Sequence, residues 1–187
     1  MHGSVYDGVT QLVDHTPIVR LARPGEAVIP AQVELFDPGG SVKDRIGLAM
    51  FEDGERDGRL RPGMTVVEPT SGNTGVALAL VRAVKGDRCV LIPGLGADLV
   101  PKTLDREIHD EVVAVADMDT DLAARELARK EGPLVGVSSG AAPAAARAVA
   151  RRLGPGRTVL TLLPDTGERY WSSFAALAEE LNRGAQP

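Results

Sequence analysis

The most constraining stretch of the sequence runs from Thr65 to Ile92, where a short apolar run, a polar turn, a segment of helical period and a second apolar run follow one another. Thr65 to Glu68 reads as a strand, Pro69 to Asn73 as a turn, Thr74 to Lys85 as a helix and Arg88 to Ile92 as a second strand. A crossover of this kind leaves its two strands parallel in one sheet, so the unit commits the chain to an α/β architecture.

The alternation extends in both directions. Val28 to Leu35 reads as a strand that the turn Asp37-Pro38-Gly39-Gly40 ends. Ser41-Val42-Lys43-Asp44 then reads as a helix start, with Val42, Ile46, Ala49 and Met50 on one face and a stop near Gly54. Beyond Pro93 the chain is irregular until Glu111 to Ala116, an expected strand. That run leads into an expected helix from Asp119 to Glu131, with Leu122, Ala123, Leu127 and Ala128 inward. Leu134 to Val137 and Thr158 to Leu163 read as two more strands. The helices after them begin near Ser139 and near Glu168, and the last frays into the polar tail Asn182 to Pro187. There is no internal repeat and no low-complexity linker. The expectation is a three-layer α/β fold with a mostly parallel sheet, formed by residues 1–187 as a single compact domain.

Charge and composition narrow the function. The formal net charge of -5 arises from 21 basic and 26 acidic residues spread along the chain, with no block of like charge to serve as a nucleic-acid arm. No run approaches the unbroken apolar length of a membrane span, and the first ten residues have neither a basic region nor an apolar core. A cytoplasmic protein is expected. Cys89 is the single cysteine, unable to form an internal disulfide and best read as a small buried hydrophobe. No metal site is expected.

Three constellations can carry chemistry. In Pro38-Gly39-Gly40-Ser41-Val42-Lys43-Asp44-Arg45, two glycines let the backbone pass close to a ligand, and a lysine is presented in the first turn of a helix. Such an amine can condense with an aldehyde, although a surface lysine paired with a neighbouring acid would have the same spacing. In Glu68-Pro69-Thr70-Ser71-Gly72-Asn73-Thr74-Gly75, hydroxyls, an amide and helix N–H groups converge at the carboxyl end of a strand. That is a place for a carboxylate or a phosphate, or simply a capped polar turn. Leu163-Pro164-Asp165-Thr166-Gly167-Glu168-Arg169-Tyr170 again ends a strand and opens a helix, and alone it signals only a turn.

Taken in this order, the three runs resemble the lysine motif, the asparagine loop and the C-terminal proline-rich turn of the cysteine synthase and cystathionine β-synthase family. These are pyridoxal-phosphate enzymes of fold type II, tryptophan synthase β-like in architecture. Thr16-Pro17-Ile18-Val19, Gly94-Leu95-Gly96-Ala97 with Val100-Pro101, and Gly136-Val137-Ser138-Ser139-Gly140-Ala141-Ala142 extend the likeness over almost the whole chain. The resemblance implies Lys43 as the Schiff-base lysine and the base that takes the Cα proton. It implies Asn73 on the 3′ oxygen of the cofactor ring and Thr166 on the pyridine nitrogen. Thr70, Ser71, Gly72 and Thr74 would hold the substrate carboxylate, with Gly94 lining the substrate site. A hydroxyl at the ring nitrogen disfavours a long-lived carbanion, which points to direct β-elimination and β-replacement on an activated serine, O-acetylserine plus sulfide giving cysteine.

The same resemblance shows an internal shortening. Residues 1–93 resemble the family's N-terminal part and 94–187 its C-terminal part, with the join between Ile92 and Gly94. The missing middle holds the small mobile part that closes over substrate, a glutamine for the substrate carboxylate, and the glycine-threonine loop that cradles the cofactor phosphate. Ser138-Ser139-Gly140 is another helix start able to take an anion. Losing the donors to a dianion should weaken cofactor binding, and losing closure should expose a reactive intermediate to water. Strand edges left uncovered by the missing piece lead to the expectation of a homodimer. A second functional expectation is a catalytically silent relative that binds a partner, for example the C-terminal tail of a serine acetyltransferase.

Overall fold

A computed structural model describes residues 5–21, 27–70, 72–86, 88–92 and 110–171. In chain order they form β1 (Ile18–Leu21), β2 (Ile29–Val33), α1 (Lys43–Arg56), β3 (Thr65–Pro69), α2 (Asn73–Lys85), β4 (Arg88–Ile92), α3 (Asp117–Lys130), α4 (Val137–Leu153) and β5 (Thr161–Leu163). Short 3-10 turns lie at Val9–Leu12, Glu34–Phe36 and Gly167–Tyr170. The elements fall into two units, Met1–Thr16 with Phe36–Ala114, and Pro17–Leu35 with Val115–Pro187.

The first unit contains the β3-α2-β4 crossover. Its strands pair in parallel from Thr65 opposite Arg88 to Pro69 opposite Ile92, as the connection through α2 requires. Glycine 86 ends α2 in the left-handed conformation, its N–H bonded to the Arg82 carbonyl. Phe51 of α1 packs with Leu78 and Val81 of α2, and Leu48, Leu60, Val66 and Leu80 surround them. The buried face of α1 is Asp44, Gly47, Phe51 and Gly54, whereas the expected face was Val42, Ile46, Ala49 and Met50. Ile46 and Met50 are in fact exposed. The physical reason lies in Gly47. A Cβ there would sit 2.9 Å from the Cβ of Ala77, so the helices meet where both side chains are smallest, and the seam runs through residues that an apolar count ignores.

In the second unit β2 is central, antiparallel to β1 and parallel to β5. Ile29, Ala31 and Val33 alternate inward along β2 and join Leu21, Leu127, Val135, Ala146, Ala150 and Leu163 in one core. Helices α3 and α4 approach closely at Gly140, where a Cβ would strike the carbonyl oxygen of Thr120 and lie 3.1 Å from the Cβ of Ala124.

Several sequence expectations need correction. Residues 111–116 join no ladder among the described residues. Val112 is largely exposed, so β propensity alone does not make this run a strand among the described residues. The run Leu134 to Val137 reduces to one antiparallel bridge between Val135 and Thr166, because α4 claims Val137. Strand Val28 to Leu35 is cut to Ile29–Val33: Val28 makes an isolated bridge to Thr158, and Glu34 turns away into a 3-10 turn. The strand expected at Thr158 to Leu163 is likewise Thr161–Leu163. Helix α3 buries Thr120, Ala123, Ala124 and Leu127, not Leu122, which is exposed. The helix expected near Glu168 begins as a 3-10 turn.

The tail Asn182 to Pro187 and the run Gly94 to Pro101 lie outside the described residues, as do the side-chain surroundings of Cys89. Among the described residues, no helix is long and apolar enough to cross a membrane, and no group of three His, Cys, Asp or Glu could hold a metal ion.

Candidate functional site

Lys43 is the first residue of α1, and the turn before it is fixed by short-range bonds. The Gly40 N–H donates to the Asp37 carbonyl at 2.7 Å, and Gly40 takes a φ of 70° that favours glycine. The Gly39 N–H donates to the carboxylate of Asp44, which is fully buried. A Cβ on Gly39 would strike that carboxylate, so this position must be glycine for Asp44 to close the turn. Buried Ser41 accepts from the Lys43 N–H at 3.2 Å through its hydroxyl, and its carbonyl accepts from the Asp44 N–H at 3.0 Å. Glycines, serine and aspartate thus act together to place one half-buried lysine at a helix start.

A second layer supports this turn. Arg45 forms an ion pair with Asp14, approaches the Asp37 carboxylate at 3.8 Å, and donates to the Thr16 hydroxyl at 2.9 Å. The Asp14 N–H donates to Asp37 at 3.0 Å, and Asp14 itself adopts a φ of 79°. This cluster was not foreseen. Asp37 was read as a turn residue, and its partner at residue 14 is too distant in sequence for any spacing rule to join the two.

The asparagine loop lies in the same unit. Gly72, with φ 73° and ψ -144°, is the N-cap of α2 and has no side chain with which to cap it. Among the described residues, nothing stands within 4 Å of a Cβ built on Gly72. Thr70, Asn73 and Thr74 are half-buried around it, whereas Ser71 lies outside the described residues. Gly47 is one turn into α1 from Lys43, and Ala77 is one turn into α2 from Asn73. Their close contact makes the starts of the two helices neighbours.

Thr166 belongs to the second unit. It caps the 3-10 turn Gly167–Tyr170, its hydroxyl accepting from the Glu168 N–H at 3.5 Å. Beside it Asp165 is buried and bonded to Tyr170 and to the serines that open α4. The alternative anion site at Ser138-Ser139-Gly140 is therefore turned toward this carboxylate, which would repel an anion there. Gly94 lies outside the described residues.

Comparison with known proteins follows these lines. Residues 9–98 and again 90–165 match a family model described as pyridoxal-phosphate dependent enzyme. The cysteine synthase of Staphylococcus aureus (strain Mu50 / ATCC 700699) is 28% identical over 297 positions, covering 89% of this chain and 96% of that protein. Because 297 aligned positions exceed the 187 residues of this chain, more than a hundred positions of that relative have no counterpart here. The cystathionine beta-synthase of Oryctolagus cuniculus is 52% identical over 89 residues, 45% of this chain and 16% of that protein. Among solved structures, a lysine-to-alanine variant of O-ureido-L-serine synthase bound to O-ureido-L-serine superposes with a TM-score of 0.81 at 25% identity, over 91% of this chain and 94% of that one. The two family matches meet at residues 90–98, where the shortening was inferred.

The residues present fit a pyridoxal group at its aldehyde end and on the substrate side. Half-buried Lys43 stands at a helix start whose neighbour is glycine-capped and flanked by Thr70, Asn73 and Thr74. These are the donors that a carboxylate and a ring oxygen require.

Proposed function

Because the chain belongs to the family of pyridoxal-phosphate dependent enzymes, whose cofactor is pyridoxal phosphate and whose fold type II it keeps in reduced form, we propose that it catalyses β-replacement on a serine with an activated side-chain oxygen. The reaction is of cysteine synthase type, with O-acetylserine and sulfide giving cysteine and acetate. When bound, the cofactor supplies an electron sink for the bond broken at the substrate Cα.

The chain's own residues have separate tasks. The Lys43 amine would hold the cofactor and serve as the base for the Cα proton. The hydroxyls of Thr70 and Thr74, with Gly72 and the N–H groups of the α2 start, would hold the substrate carboxylate, and the family likeness gives Ser71 the same task and Gly94 a role toward substrate. By the family likeness, the Asn73 amide would hold the ring oxygen and the Thr166 hydroxyl would serve the ring nitrogen. The Cβ–O bond breaks with acetate as leaving group, sulfide forms the new Cβ–S bond, and the proton returns to Cα.

The observation that carries this reading is Lys43 at the first residue of α1, beside the glycine-capped start of α2. Its substrate class is supported by the serine derivative bound to the structural relative. A cytoplasmic homodimer acting on a small amino acid is part of the same proposal. The test is to supply purified protein with cofactor, O-acetylserine and sulfide, and to follow cysteine. Sulfide-dependent cysteine formation that Lys43→Ala abolishes is the expected result, and none above the uncatalysed rate counts against it.

The internal shortening favours a second reading, since the relatives carry more than a hundred positions absent here. A silent relative would keep the carboxylate-binding turn for a peptide terminus, such as a serine acetyltransferase tail. Calorimetric titration with such a tail peptide, showing binding without turnover, would select this reading over the first.

A further inference from the structure

We infer that Asp165 is the positioning residue for Thr166, its buried carboxylate fixing the turn from which the Thr166 hydroxyl is presented. The inference rests on the reading of Thr166 as the partner of the ring nitrogen. The hydroxyl's own anchor is weak, a long 3.5 Å contact with the Glu168 N–H. Its neighbour is held far more firmly. The Tyr170 hydroxyl donates to one oxygen of Asp165 at 2.6 Å, in the range of a charge-assisted bond. Ser138 and Ser139 lie 3.3 Å from the other oxygen. The Ser139 hydroxyl also accepts from the Asp165 N–H at 3.2 Å. Asp165 and Ser139 are both buried, so the bonds between these two are shielded from bulk water, whereas Ser138 is exposed and Tyr170 half-buried.

The backbone around the pair is matched to them. The Gly136 N–H donates to the Asp165 carbonyl at 3.1 Å, and the Gly167 N–H donates to the Leu134 carbonyl at 3.0 Å. These bonds clamp Thr166 against Val135 from both sides. A Cβ on Gly136 would strike the Asp165 carboxylate and lie 2.6 Å from a ring carbon of Tyr170. Glycine therefore makes room for the network at the one point where another strand of chain crosses it. The Asp165 carboxylate joins the start of α4 to the turn 164–170, its backbone carbonyl holds the segment that bridges at Val135, and Thr166 lies beside these contacts.

The test compares wild type, Tyr170→Phe and a packing control, Leu127→Ala, which alters the core of the same unit. Amide exchange is followed at Gly136 and Gly167 in the cofactor-free protein, and the visible band of bound pyridoxal phosphate is recorded after loading. Removing the 2.6 Å bond should speed exchange at both amides by about tenfold or more and move the band. Leu127→Ala should lower the melting temperature and leave the band in place. Unchanged exchange in Tyr170→Phe, or a band that moves equally in Leu127→Ala, overturns the inference. Wild-type protein that behaves as expected in exchange but takes up no cofactor upholds the fixed turn and overturns the proposed function instead.

Discussion

Gly47 and Ala77 hold α1 and α2 at a separation that leaves no room for a side chain between them. A Cβ on Gly47 would lie 2.9 Å from the Cβ of Ala77 and 3.1 Å from its carbonyl carbon. Since Lys43 and Asn73 each stand one turn before this contact, the spacing between the two functional helix starts is set by a glycine that touches neither of them.

Gly47→Ala measures that dependence. Alanine is the better helix former by about 1 kcal/mol, but the contact it creates is with backbone and a short side chain that cannot swing aside, and overpacking costs about 1–3 kcal/mol. The clash should prevail. Denaturant unfolding should give a net loss of stability, and cofactor titration should show weaker binding as the helix starts move apart.

Gly72→Ala isolates a different cause. Among the described residues, nothing lies within 4 Å of the added Cβ, so they add no steric cost. The cost comes from the backbone, whose φ of 73° with ψ -144° is a region that other residues rarely enter, at about 1–3 kcal/mol. The loop should relax to another conformation. Binding of a substrate-like amino acid, read by the change it causes in the cofactor spectrum, should weaken more than binding of the cofactor itself.

Asp44→Ala removes the carboxylate that accepts from Gly39 in a fully buried setting. An orphaned buried donor costs about 1–3 kcal/mol. Thermal unfolding should shift down accordingly, and Lys43 should react more slowly with pyridoxal phosphate because the turn that presents it is no longer closed.

The β3-α2-β4 crossover was legible because its signals are local: two apolar runs, a turn and a helix of ordinary length between Thr65 and Ile92. Lys43 and Asn73 were legible as helix-start residues for the same reason. What escaped is what depends on distant partners. The strand Ile18–Leu21 buries one residue of its four, so it carries no hydrophobic period, and only pairing with Ile29–Val33 makes it a strand. The face expected for α1 is displaced, since Gly47 and Gly54 pack beside Phe51 while Ile46 and Met50 face outward; that of α3 holds at Ala123 and Leu127 but not at Leu122, where Thr120 and Ala124 are buried instead. The contacts of Asp14 with Asp37 and Arg45, and of Ser139 with Asp165, cross long sequence separations and are invisible to any window. Residues 111–116 show the converse, a run with strand propensity that joins no ladder among the described residues.

The most direct measurement is the absorbance spectrum of the purified chain mixed with pyridoxal phosphate, recorded for wild type and for Lys43→Ala. Lys43 is half-buried at the helix start, and its truncation should leave overall stability within about 0.5 kcal/mol, so an unfolded variant does not confuse the comparison. The expected result is a yellow, lysine-linked band in wild type, reducible by borohydride and absent from the variant. No band in wild type, or the same band after residue 43 has lost its amine, would contradict the assignment of this lysine and with it the proposed chemistry.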